Sequence, residues 1–218
     1  RLLFRSVDVT ESSLVPLPEG MDPAVACFAE PVGCIFHALN DHLIEKGGRF
    51  LIYGGGTMGL LAGLVAGAAG AEPRIVEKNA DKIKAARAFL DAAQIPCTFD
   101  TEDSGFDTVL NACPDPQAFE AGLAKLKKGG TFIFFSGLIS DAPMESSRIN
   151  LIHYREITLS GSYGLAPADI KKAVTFLAAQ QEKIKPLIQA VVKPEKAHDL
   201  MPRVLSGKNF RYILDFTA

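Results

Sequence analysis

Three glycines and one glutamate carry the clearest chemistry in this chain. Gly54, Gly56 and Gly59 follow the apolar run Leu51-Ile-Tyr53 with Gly-x-Gly-x-x-Gly spacing, and an apolar helical stretch opens directly behind them. Glu77 stands twenty-one residues past Gly56, closing a second apolar run, Arg74-Ile-Val. A strand that turns through such glycines into a helix offers unpaired N–H groups and the positive end of a helix dipole to a diphosphate. The first glycine makes the tight turn, the second lets the backbone approach a pyrophosphate, and the third packs helix against strand. The backbone of Thr57 and Met58 would face the phosphates, and the Glu77 carboxylate would accept hydrogen bonds from the adenosine ribose hydroxyls. A carboxylate there repels a 2′-phosphate and so favours NAD over NADP. Lys78 and Arg74 are basic neighbours that could accommodate such a phosphate.

The elements that must position these residues follow from the pattern. Strands are predicted over Phe50–Tyr53, Arg74–Val76, Ile95–Phe99, Phe106–Asn111, Gly130–Phe135 and Ile157–Ser162. Helices are predicted over Met58–Gly70, Asp81–Ala93, Pro116–Lys127 and Pro167–Gln181, with a looser connection at Leu138–Asn150. Upstream, Asp22-Pro23 starts a helical region to about Glu45, interrupted near Pro31-Val-Gly33. Regular βαβ alternation requires a parallel sheet with helices on both faces. The fold class is therefore α/β: a doubly wound, six-stranded Rossmann sheet with its ligand above strands one and four. The last segment breaks the alternation: strand Ile188–Val192, helix Pro194–Ser206, and a strand Phe210–Phe216 whose alternating pattern suits an antiparallel strand with one wet face. Residues 2–9 form a further isolated strand. These two terminal strands belong to a neighbouring layer, and the division expected is 1–20, 21–187 and 188–218.

The 218 residues, 48% apolar and 22% charged, can bury a sizeable core. A net charge of −2 supplies no basic field for nucleic acid. The longest apolar stretch, Met58 to Ala71, is too short to span a bilayer. Cys27, Cys34, Cys97 and Cys113 are scattered and read as free thiols of a reducing, cytoplasmic compartment, and no signal peptide opens the chain. The first residue is Arg1 and not Met, so the chain is expected to be processed, excised or the remnant of something longer.

In this order the pieces resemble the medium-chain dehydrogenase/reductase family, the zinc alcohol, polyol and threonine dehydrogenases. The resemblance runs from the connector Leu14-Val-Pro-Leu-Pro-Glu-Gly20 to the last strand. It implies a Rossmann domain, residues 21–187, with 1–20 a remnant of a GroES-like catalytic domain and 188–218 a segment returning to it. It places the phosphate turn at Gly54, Gly56, Thr57, Met58 and Gly59, and the ribose contacts at Glu77 and Lys82. It pairs Arg211 of Gly207-Lys-Asn-Phe-Arg211 with the pyrophosphate, and sets the nicotinamide amide against the backbone near Leu138 and Ser162. It implies hydride transfer between NAD and a small alcohol, polyol or amino alcohol. A homodimer through the edge Ile157-Thr-Leu-Ser-Gly161 is also implied, since that edge lacks protective charges.

The same resemblance sets Glu30, in Ala29-Glu30-Pro31, beside a catalytic zinc, although a carboxylate starting a helix is also explained by the dipole. Cys34 and His37 share a helix face and read as packing residues; His42, His153 and His198 have no evident partners. A catalytic zinc needs about three protein ligands, and this sequence offers at most Glu30, so no metal site and no catalytic residue are assigned within it. Zinc belongs to the reading only if a catalytic domain precedes Arg1. A catalytically inactive NAD(H)-binding or dimerisation module is the alternative. An AdoMet-dependent methyltransferase shares the glycine turn but explains neither Arg211 nor the flanking strands.

Overall fold

A computed structural model describes residues 14–39, 44–139 and 143–217. The proposed strand at 2–9 and His42 lie outside them. Six parallel strands form the main sheet: β1 (Arg49–Tyr53), β2 (Glu72–Val76), β3 (Cys97–Thr98), β4 (Phe106–Asn111), β5 (Leu126–Phe134) and β6 (Thr158–Gly161). Their order is β3-β2-β1-β4-β5-β6. The order reverses between β1 and β4, which opens a crevice above their C-terminal ends.

The strands alternate between two cores because successive side chains point to opposite faces. Phe50 and Ile52 pack on one side with α2 (Ala29–Leu39), α3 (Thr57–Ala68), α5 (Arg87–Ala93) and α8 (Pro167–Ile184). Leu51 and Tyr53 pack on the other with Phe119 and Leu123 of α6 (Pro116–Lys125). Helix α3 is apolar all round and buries Gly59 through Ala66. Its leucines each contribute about 1.5–3 kcal/mol on full burial.

Several predicted boundaries move. The upstream helical region breaks at Cys27-Phe28, between α1 (Pro23–Ala26) and α2, and not at Pro31. Pro31 sits in the first turn of α2, where its missing N–H removes no helical bond. The predicted helix 81–93 is α4 (Ala80–Ala85) followed by α5, tightened at Ala86. Strand β5 starts four residues early, at Leu126, with a register shift past Lys127-Lys128-Gly129 before Thr131 pairs with Thr108. The connection read as loose contains a helix, α7 (Ser146–Tyr154), with no buried residue and no side-chain cap. A helix that shows neither an apolar stripe nor a capping signal leaves little trace in a pattern.

The C-terminal strands β7 (Ile188–Val192) and β8 (Arg211–Leu214) form a separate two-stranded sheet, linked through α9 (Ala197–Leu205). They run parallel, which corrects the antiparallel expectation. Alternation reports that one face is wet and says nothing of direction; the helical crossover sets the direction.

Candidate functional site

The glycine turn lies at the reversal of strand order, hydrogen-bonded to both neighbours. Gly54 N–H donates to Val76 O at 2.8 Å, and Ala112 N–H donates to Tyr53 O at 2.8 Å. Gly54 has φ +107°, and a Cβ there would meet Ala112 O at 2.9 Å, so both backbone conformation and space demand glycine. A Cβ on Gly59 would fall 1.8 Å from Gly54 O, so this glycine lets α3 approach β1. A Cβ on Gly56 would meet nothing within 4 Å: it would project into open space in front of the turn. Gly56 is the N-cap of α3 and supplies no side-chain cap. The first N–H groups of the helix, at Thr57 and Met58, are thus left for an outside partner.

Glu77 follows β2 and reaches this turn. Its Oε2 accepts the Gly55 N–H at 2.9 Å and its Oε1 accepts the Asn79 N–H at 2.8 Å. Asn79 caps α4, accepting from the N–H groups of Asp81 and Lys82. Glu77 and Lys82 line a cleft of about 190 Å³ with Tyr53, Lys78, Cys113 and Asp115. The structure thus brings together Gly54, Glu77 and Lys82, with Gly56, Thr57, Met58 and Gly59 on the adjoining turn. Leu138 and Ser162 lie beyond the C-terminal ends of β5 and β6, where Ser162 N–H donates to Phe134 O at 3.1 Å. The Ser162 hydroxyl is buried without a hydrogen-bond partner among the described residues. Arg211 opens β8, exposed, and is not a lining residue of the cleft.

Pattern reading missed three contributors. Asn111, fully buried at the end of β4, donates to Cys113 O at 2.8 Å and accepts the N–H groups of Phe135 and Ser136 at 3.2 Å each. It ties the loops after the neighbouring strands β4 and β5 to one another. Tyr53 is 4% exposed, and its hydroxyl lacks a partner among the described residues. Burial, then the neighbouring Asp100 and Cys113, pushes that phenol up to about 12. Asp115 caps α6 and faces Lys78 at 3.6 Å. Its Asp-Pro signal marks a helix start right after a strand beside the switch point, and that position could have flagged it.

The upstream cluster is polar rather than purely packed. His37 Nδ1 lies 3.0 Å from Oδ2 of Asp169, a fully buried carboxylate on α8 that also accepts the Ala166 N–H. The Cys34 thiol donates to Glu30 Oε1 at 3.3 Å, and burial, followed by Glu30, raises that thiol to about 11. No three His, Cys, Asp or Glu side chains among the described residues are grouped to hold a metal ion. His153 packs its ring 5.0 Å from that of Tyr154.

A doubly wound sheet with a glycine turn and an acid at its switch point defines a Rossmann-like α/β protein. Residues 57–179 match the family model for zinc-binding dehydrogenases, and the chain belongs to that family. It is 27% identical over 216 residues to D-xylulose reductase A of Aspergillus niger, covering 91% of this chain and 58% of that protein. It is 30% identical over 206 residues to L-threonine 3-dehydrogenase of Bacillus velezensis, covering 88% and 58%. Alcohol dehydrogenase from Thermotoga maritima shares the fold with a TM-score of 0.81 at 18% identity, over 92% of this chain and 59% of that one. The chain spans about three fifths of the length of the curated relatives it matches. No helix among the described residues is long and apolar enough to cross a membrane.

Proposed function

We propose that this chain is the cofactor-binding part of an NAD-dependent dehydrogenase that moves hydride between the nicotinamide and a small alcohol, polyol or amino alcohol. The observation that carries the reading is the Glu77 carboxylate held at the glycine turn by two backbone N–H groups. Fixed there, it accepts the ribose 2′- and 3′-hydroxyls and repels a 2′-phosphate, which favours NAD over NADP. The open space before Gly56 leaves room for the pyrophosphate, and the uncapped N–H groups of Thr57 and Met58 donate to it. Lys82 lies on the ribose side of the cleft. The nicotinamide, which supplies the hydride chemistry, would be held past Leu138 and Ser162, whose buried hydroxyl has hydrogen-bonding capacity to offer. Arg211 reaches the pyrophosphate only if the segment 188–218 folds back over the turn.

No three His, Cys, Asp or Glu side chains among the described residues are grouped to hold a zinc ion, and no catalytic role is assigned to the described side chains. Their work is to bind and orient the dinucleotide. The domain division at 20 and 187, a cytoplasmic location and a homodimer through the free edge of β6 belong to the same proposal. Titration of the chain with NADH, followed by its fluorescence enhancement, is the direct test. Saturable binding supports the reading; no binding at millimolar concentration overturns it.

A further inference from the structure

We propose that the cavity at the N-terminal ends of β1 and β2 binds a small phosphate-type oxyanion at Arg49 and Arg74. The cavity encloses about 320 Å³, and both arginines line it, with Glu72 and Phe106 among its other walls. Arg49 opens β1, whereas the glycine turn follows the last residue of that strand. This cavity therefore lies at the opposite end of the sheet from the turn, and Arg74 lines it and not the cleft beside Glu77.

The connection from β3 to β4 brings the two arginines together. β3 ends at Thr98 and β4 starts at Phe106, with no helix between them. Parallel strands are normally joined by about a dozen residues or more, most often through a helix. Here cations tie down the short connection instead. Arg49 Nη1 donates to Ser104 O at 2.6 Å, and Lys125 Nζ donates to Thr101 O at 2.6 Å. Arg74 Nη1 donates to Thr101 Oγ1 at 3.3 Å and to Asp103 Oδ2. Arg49 Nη2 reaches that same Asp103 oxygen at 3.4 Å. Two guanidinium groups thus converge on one carboxylate oxygen.

That arrangement leaves positive charge and donors in excess. Asp103 is shared, is itself exposed, and does not line the cavity. Glu72, the acid among the lining residues, is exposed and pairs with neither arginine among the described residues. The hydrogen bonds of Arg74 all leave from Nη1. Its Nε–Nη2 edge, which meets an oxyanion side-on through two parallel N–H bonds, is uncommitted among the described residues. Arg49 is steadied by a wall of the cavity, its guanidinium carbon 4.5 Å from the centre of the Phe106 ring. A phosphate group brings negative charge and several acceptor oxygens to both arginines at once, the match for which a planar guanidinium is suited.

Calorimetric titration of the 218-residue chain with inorganic phosphate, and separately with glycerol 3-phosphate, is the test, at an ionic strength held constant with sodium chloride. One saturable site at millimolar phosphate is expected. Arg74→Gln should weaken it by about tenfold or more, the loss expected for hydrogen bonds from a charged group. Glu72→Gln, which alters an exposed side chain and removes the lining acid, should tighten it by about twofold. Tighter binding of glycerol 3-phosphate supports the proposal with a phosphorylated small molecule as ligand; tighter binding of phosphate supports it with the free ion. No saturable binding of either overturns it. An unchanged affinity in Arg74→Gln also overturns it, because a phosphate resting on the glycine turn would behave that way. Should Arg74→Gln fail to fold, an unchanged affinity in Glu72→Gln overturns it. The NADH titration tests the dinucleotide reading separately, and neither result decides the other.

Discussion

The Glu77 carboxylate and the Gly55 N–H meet at 2.9 Å, across the gap between the end of β2 and the turn after β1. A Cβ on Gly55 would lie 2.9 Å from Glu77 Cβ, so the two residues are packed as well as bonded. This contact fixes the acid at the mouth of the turn before any ligand arrives, the preorganisation that lowers the ordering cost of binding.

Replacing Glu77 by Gln should weaken NADH binding by roughly tenfold, since hydrogen bonds to a charged acceptor are the stronger ones. Removal of the negative charge should narrow the gap between NADH and NADPH. Fluorescence titrations with the two cofactors measure both effects; an unchanged NADPH to NADH ratio would show that Glu77 does not face the 2′ position.

Gly56 and Gly59 should respond oppositely to alanine. Gly56 has φ −75° and open space before it, so Gly56→Ala should leave stability unchanged or raise it by about 0.5 kcal/mol. The added methyl would stand where the diphosphate approaches and reduce NADH affinity by about tenfold or more. Gly59→Ala drives a Cβ into a backbone carbonyl and should cost about 3 kcal/mol or more. Thermal melts paired with NADH titrations separate the two.

Asn111→Leu removes three hydrogen bonds at a fully buried position and should cost about 3 kcal/mol, because the stranded loop groups lose their partner away from water. Since it holds the loop after β4, which borders the crevice, NADH affinity should fall together with the unfolding midpoint in denaturant.

Asp107 supplies a pH dependence. Burial by itself would raise its carboxyl, but the Lys127 ammonium and the Arg49 N–H outweigh that and hold it below the usual carboxylate value. A folded-state value below the unfolded one, about 3.9, means stability present above pH ~4 and lost as pH falls through the lowered value. In Asp107→Asn the melting temperature should be lower than that of the unaltered chain at pH 7, and the gap should close as both are acidified below pH ~4. A gap independent of pH would disprove it.

The edge strand β6 carries no charged residue over Thr158–Gly161, and its Leu159 is 44% exposed. If the edge pairs across a two-fold, Leu159→Lys should convert a dimer to a monomer, because edge lysines block strand addition. Light scattering of both chains decides this; a monomer before substitution removes the premise.

What the amino-acid order determined by itself is local. The Gly-x-Gly-x-x-Gly turn, the strand–helix alternation and the apolar runs are short-range patterns, and they pointed to the doubly wound sheet whose order is β3-β2-β1-β4-β5-β6. Helix α7 was not legible because none of its residues is fully buried, and the direction of β8 was not because one wet face looks the same in parallel and antiparallel pairs. The side-chain partnerships were decided only by tertiary structure. Glu77 and Gly55 are twenty-two residues apart, Asn111 and Ser136 twenty-five, and His37 and Asp169 one hundred and thirty-two. No period links such pairs; they meet because the strands stop at one level and the loops between them share one crevice, so buried polar groups must find whichever partner the packing brings within reach.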